Sequence, residues 1–198
     1  MGALAANLRL NLNVSDLTDE SLVETIVSSN DALLFEILYN RYAKTVYNKC
    51  YSFSKSRDEA EDLTQDVFLK LFVKLDSFKG KSKFSTWLYA FTYNYCVNYV
   101  NRNNSKKIEK KAVETSNIEE TYFDLDEDDD ENDNSIYRLK VVKLKQALEK
   151  ITPEEKMILL LKYQDFLSIR ELELVFDIGH SAVKMRIKRA KEKLISVY

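Results

Sequence analysis

Three glycines and a single proline in 198 residues leave few places where the chain can turn sharply. That shortage excludes a sheet-rich fold built on tight hairpins and favours an all-α one. The two cysteines, Cys50 and Cys96, are isolated, each beside a tyrosine and without C-x-x-C spacing. They read as small buried hydrophobes in a reducing compartment. Only one histidine is present, His180. The sequence offers no nucleophile paired with a base, no metal cluster and no glycine loop to cradle a phosphate, so neither an enzyme nor a cofactor or metal is expected. No run approaches the roughly 18 apolar residues of a membrane helix. The opening MGALAANLRLNLNV lacks the basic and long apolar regions of a secretion signal, and its sixth residue, Ala6, does not suit acylation. No membrane insertion and a cytoplasmic location are expected.

What is present is 45% hydrophobic and 31% charged residues, with 12 Tyr and 10 Phe, enough for one domain or two small ones with real cores. The net charge of −2 conceals a division. Residues 1–111 carry 16 basic and 13 acidic side chains, residues 112–137 none basic and 11 acidic, and residues 138–198 carry 14 basic and 8 acidic. Two basic lobes are thus joined by an acidic segment containing FDLDEDDDENDNS, whose dense like charge predicts a flexible linker. It lacks the spacing and glycine pivot of a calcium loop. The expected organisation is a lead-in arm over 1–14, a helical domain over 15–111, the acidic linker over 112–137 and a second helical domain over 138–198.

In the first lobe, Thr18 caps a helix to about Ser28 with Leu22, Val23, Ile26 and Val27 inward. Asn30 caps the next, which carries Ala32, Phe35, Leu38, Tyr39 and Tyr42 at helical spacing to about Phe53. The stretch SRDEAEDLTQDVFLKLFVKL over 56–75 opens with a capping-box pattern, Ser56-x-x-Glu59. Its residues Ala60, Leu63, Val67, Phe68, Leu71 and Leu75 form a core stripe. Asp62, Gln65, Asp66, Leu69 and Val73 form a second stripe that mixes carboxylates with aliphatics. Two readings stay open for it: a helix buried on two sides, or a docking face for a basic partner helix.

A lysine-rich loop, DSFKGKSK over 76–83, then leads into FSTWLYAFTYNYCVNYVNR over 84–102, a largely apolar helix starting at Ser82 or Ser85. Asn94, Asn98, Asn101 and Arg102 line one edge of it, bordering Trp87 and Tyr95. Rings that stack bases, amides that read base edges and cations that hold phosphates are the means of gripping single-stranded nucleic acid.

The second lobe starts with a helix over 136–150 whose inner side carries Leu139, Val142, Leu144, Ala147 and Leu148. Thr152-Pro153-Glu154-Glu155 opens the next helix, and Ser168-x-x-Glu171 opens a short one carrying Ile169, Leu172, Val175 and Phe176. After a break at 177–179, a basic helix over 181–196 turns Val183, Ile187, Ala190 and Leu194 inward. A short helix, a tight turn and a basic helix make the geometry of a helix-turn-helix that reads a DNA major groove.

With both lobes in view, the chain resembles the bacterial sigma factors of the extracytoplasmic-function group, the smallest in the sigma-70 family. The likeness covers about 20–105 and 138–195. It rests on DEAEDLTQDVFLKLF over 58–72, on the F-x-x-x-S-x-F-S-T-W-L-Y run ending at Tyr89 with Asn94 beyond it, and on L-x-x-A-L-x-x-I-T-P-E-E-K followed by S-x-x-E-L and V-K-x-R-I-x-R-A. The order and spacing of these motifs are specific. The resemblance implies a region 2 lobe whose Asp62, Gln65, Asp66 and Leu69 dock on the clamp coiled coil of the largest subunit of core RNA polymerase. It implies that Lys79, Lys81, Lys83, Trp87, Asn94, Asn98 and Arg102 capture the melted strand of the minus-10 promoter element. It implies a region 4 lobe that lies by the polymerase flap and reads the minus-35 element through Ser181, Lys184, Met185, Arg186, Lys188 and Arg189. Core polymerase and promoter DNA are the implied partners, and an anti-sigma factor is a further one.

The sequence departs from the family in the region 4 motif. Glu173 stands where a small residue is usual, predicting a wider helix crossing or an outward-turned side chain. Ser181-Ala182 replaces the usual Gly-Thr, leaving Ser181 to cap. His180 reads as a phosphate neighbour or a surface residue. Two rival functions remain at this point: a dimeric helix-turn-helix regulator that is not a polymerase subunit, and a helical interaction module whose basic helix is merely solvated.

Overall fold

A computed structural model describes residues 17–111 and 134–198, and all regular structure among them is helical. The helices are α1 (Asp19–Ser29), α2 (Ala32–Tyr51), α3 (Arg57–Lys74) with a 3-10 turn at Leu75–Ser77, α4 (Phe84–Lys111), α5 (Asn134–Lys150), α6 (Pro153–Tyr163), α7 (Ile169–Phe176) and α8 (His180–Val197). The lead-in arm and most of the acidic linker lie outside the described residues. The chain forms two compact units divided between Tyr93 and Asn94, within α4.

In the first unit α1 starts where expected, with the Thr18 hydroxyl accepting from the Ser21 amide at 3.3 Å. Asn30 does not cap α2. It closes α1 instead, taking a left-handed φ of 51° while its N–H donates to the Ile26 carbonyl, and Asp31 caps α2 by accepting from Leu33 N at 2.9 Å. Asparagine tolerates the left-handed region better than most residues, which leaves the capping role to its neighbour.

The core lies between α2 and α3, with α1 across α2 and against the 3-10 turn. Phe35 meets Phe72 edge-on at 5.0 Å and Phe68 at 6.4 Å, and Tyr39 meets Phe68 at 4.5 Å. Below them Leu38, Val46, Cys50, Leu63, Val67 and Leu71 are fully enclosed. α4 joins through large rings, Phe84 against Tyr42 at 5.7 Å and Tyr93 against Phe53 at 5.8 Å. Each such ring pair adds about 0.5–1.5 kcal/mol beyond its buried area. Val27, expected inward, is exposed, because α2 and the 3-10 turn cover only the side of α1 that carries Leu22, Val23 and Ile26.

Asp19 ties α1 to α2. The Arg41 guanidinium donates to it at 2.8 Å and also to the Leu17 carbonyl at 2.9 Å, while the Tyr42 hydroxyl donates to its other oxygen. Burial, and then the Asp19 carboxylate as acceptor, raise the Tyr42 phenol well above its ordinary pKa.

The second unit packs α8 on α5, α6 and α7, with Met157, Leu161, Leu167, Leu172, Val183 and Ala190 in its core. Both expected capping boxes form. Thr152 N donates to Glu155 Oε2 at 2.8 Å while Glu155 N donates back to the Thr152 hydroxyl, and the Ser168–Glu171 pair repeats the arrangement. α5 begins at Asn134 rather than Ile136. Ala147 on α5 is buried, but Leu139 and Leu144, expected inward, are exposed; α5 packs against α8, which covers only a narrow strip of its surface. The α6–α7 connection passes through Phe166 at a left-handed φ of 57°.

Candidate nucleic-acid interface and docking face

The two stripes of α3 separate cleanly. Ala60, Leu63, Val67, Phe68 and Leu71 are buried, whereas Asp62, Gln65 and Asp66 are exposed, and so are Leu69 and Val73, at 68% and 75%. The reading in which this helix is buried on two sides is therefore removed. Two bare aliphatics beside two carboxylates form an apolar anchor with an acidic rim. Enclosing each aliphatic is worth about 1.5–3 kcal/mol. Ser56 caps the helix, accepting from Glu59 N at 3.1 Å. The Glu59 carboxylate, however, accepts from the Lys55 amide rather than from that of Ser56, so it reaches one residue further back than a capping box does.

The 79–83 loop exposes Lys79, Lys81 and Lys83. Lys79 Nζ donates to the Asp76 carbonyl at 2.9 Å, and Gly80 turns the chain at a φ of +66°, a conformation that a side chain would strain. α4 begins at Phe84, between the two expected starts. Phe78, Phe84 and Trp87 cluster at 5.4–5.8 Å, and Trp87 stacks on Phe91 at 5.5 Å and 27°. Trp87 is half-buried, while Asn94, Asn98, Asn101 and Arg102 are exposed further along the same helix. Asn101 Nδ2 donates to Glu154 at 2.7 Å within the second unit.

The motif residues did not reveal Lys49. It is almost wholly enclosed, with its ammonium 4.0 Å from the Tyr89 ring centroid and 4.9 Å from that of Tyr93, and it donates to the Tyr93 hydroxyl at 3.5 Å. Its place in the Tyr42, Val46, Lys49, Phe53 register was the available signal.

On α8, Ser181, Lys184, Met185, Arg186, Lys188 and Arg189 are all exposed, opposite the buried Val183, Ile187 and Ala190. Arg186 lies 5.9 Å from the Phe176 ring, and Lys188 pairs loosely with Glu192 at 3.8 Å. The helix starts one residue earlier than expected, so Gly179 is the N-cap and Ser181 does not cap. The left-handed residue of the turn is Asp177, at φ 50°, while Gly179 sits in ordinary extended backbone. Glu173 turns to the start of α8, where its Oε1 lies 2.6 Å from His180 Nδ1. The sole histidine is thus held by a carboxylate from the preceding helix. Among the described residues no group of histidine, cysteine or acidic side chains could hold a metal, and no helix is long and apolar enough to cross a membrane.

These surfaces fall within two family matches: sigma-70 region 2 matches residues 38–106 and sigma-70 region 4 matches residues 142–194. The sigma-E factor of Escherichia coli (strain K12), an extracytoplasmic-function RNA polymerase sigma factor, is 31% identical over 182 residues, covering 90% of this chain and 93% of its own. The chain belongs to the extracytoplasmic-function sigma factors. SigW of Bacillus subtilis (strain 168), from the same group, is 27% identical over 169 residues, covering 85% of this chain and 90% of its own. The fold is also that of chains in two solved complexes at 20% identity. One is RpoE with the anti-sigma factor NepR from Bartonella quintana, at a TM-score of 0.58 over 82% of this chain and 95% of that one. The other is CnrH with the cytosolic domain of CnrY, at 0.59 over 90% and 95%.

Proposed function

We propose that this sigma factor is a promoter-specificity subunit that works in the cytoplasm, binds core RNA polymerase and directs promoter recognition, strand opening and transcription initiation without catalysis of its own. Residues 15–111 serve as the region 2 domain and residues 138–198 as the region 4 domain. Asp62, Gln65, Asp66 and Leu69 dock on the clamp coiled coil. Lys79, Lys81, Lys83, Trp87, Asn94, Asn98 and Arg102 hold the melted minus-10 strand, lowering the cost of opening by trapping unstacked bases. Ser181, Lys184, Met185, Arg186, Lys188 and Arg189 take the minus-35 duplex in its major groove. An anti-sigma factor that covers these surfaces is a further partner.

The observation that carries this reading is the exposed Leu69 and Val73 set among carboxylates on a helix whose other side is fully packed. A helix-turn-helix regulator needs only the second lobe, so the match to region 2 favours the polymerase subunit. The test is co-elution with bacterial core RNA polymerase, comparing the wild type with Asp62→Arg/Asp66→Arg. Binding by the wild type and its loss in the variant are expected. Equal binding by both would move the docking face elsewhere.

A further inference from the structure

α4 begins without help from its own capping residue. The Trp87 amide donates to the Lys83 carbonyl at 3.2 Å, which makes Lys83 the N-cap, and a lysine side chain has no acceptor to offer the free amides of a first turn. The neighbouring Ser82 hydroxyl donates to the Lys83 carbonyl at 3.2 Å. The acceptor for Phe84 comes from 64 residues away: Glu20 Oε1 receives the Phe84 N–H at 2.9 Å.

Glu20 is well placed to act as a strut. It sits in the first turn of α1, next to Asp19, whose carboxylate is held by Arg41 and Tyr42. α1 itself rests against the 3-10 turn that opens the loop to α4. The two adjacent acids therefore diverge, Asp19 fixing α1 to α2 and Glu20 fixing the start of α4. Phe84 itself belongs to the Phe78–Phe84–Trp87 cluster, and the lysine loop with its left-handed Gly80 runs directly into it along the chain.

We propose that Glu20 is a positioning residue for promoter opening: it caps α4 from another helix and so sets where the 79–83 lysines and Trp87 meet the melted strand. This rests on the function proposed above. Glu20 makes no contact with DNA in this scheme, and what matters is its acceptor oxygen rather than its charge.

The test compares full-length wild type, Glu20→Gln, which keeps an acceptor and removes the charge, and Glu20→Ala, which removes both. Amide hydrogen exchange at Phe84 in the free chain reads the cap directly. Core polymerase co-elution reads docking. The rate of opening reads function, on a promoter recovered from a random DNA library by wild-type holoenzyme and followed by permanganate reactivity of unpaired thymines. Glu20→Ala is expected to exchange faster at Phe84 and to open the promoter about five- to tenfold more slowly, with core binding unchanged. Glu20→Gln is expected to stay within about twofold of wild type. Opening by Glu20→Ala at the wild-type rate, or Glu20→Gln as slow as Glu20→Ala, overturns the proposal. A wild type that binds no core polymerase overturns the functional reading, and the positioning role falls with it, while exchange at Phe84 still reports whether the cap exists.

Discussion

Glu173 holds the only histidine at the entrance of the helix that carries Lys184, Arg186, Lys188 and Arg189, through the 2.6 Å contact between its carboxylate and His180 Nδ1. A negative group at that end opposes the approach of phosphate. Glu173→Gln is therefore expected to raise duplex DNA affinity severalfold and to steepen the dependence of log K on log salt by up to about one unit. Fluorescence anisotropy across a salt series measures both, and an unchanged slope would show that the pair does not restrain phosphate contact. Glu173 was visible in the sequence as a departure from a small residue, but its partner was not, because the left-handed turn at Asp177 is what folds His180 back towards it. Lys49 was hidden for a similar reason. Nothing local tells a lysine that it will be roofed by Tyr89 and Tyr93 from a helix much further along the chain.

Helix starts were the most legible elements, because a cap is settled among a few neighbouring residues. Thr18, Ser56, Thr152 and Ser168 all cap as the sequence predicts. Where several polar residues adjoin, the pattern misplaces the start by one or two positions: Asp31 displaces Asn30, and Gly179 displaces Ser181. The box at α6 also carries a pH dependence. Burial raises the Glu155 carboxyl, but the Thr152 amide and hydroxyl and the Lys193 ammonium 3.4 Å away outweigh it and hold the pKa below its ordinary value. A depressed folded pKa gives stability that is fully present above the ordinary glutamate value of about 4.3 and lost as pH falls through the folded one. Urea unfolding across the acid range up to neutral pH is expected to show a shallower acid limb in Glu155→Gln than in wild type. Identical acid limbs would mean that the box and Lys193 contribute no linkage.

Charge acts on the whole molecule. The 11 acidic residues of 112–137 lie, in sequence, between two segments of opposite net charge, so at low ionic strength they are expected to compete with DNA for the basic surfaces. Replacing Asp126, Glu127, Asp128, Asp129, Asp130 and Glu131 by their amides is expected to raise the duplex affinity of the isolated chain, an effect that fades as salt is added. Equal affinities at low salt would sink the idea. The sequence by itself determined the all-helical class, the split in charge, the core stripe of α3 and the basic face of α8. Each of these is a matter of period, composition or a cap, which act within a few residues. Only the tertiary structure decided which flanks are covered, leaving Val27, Leu139 and Leu144 exposed, and whether the second stripe of α3 is buried or exposed. It alone joined Glu20 to Phe84 and Asp19 to Arg41 and Tyr42. Such pairings depend on which helix lies across which, and that comes from the fit of Phe35, Tyr42, Phe68 and Phe84 in a shared core rather than from any pattern along the chain.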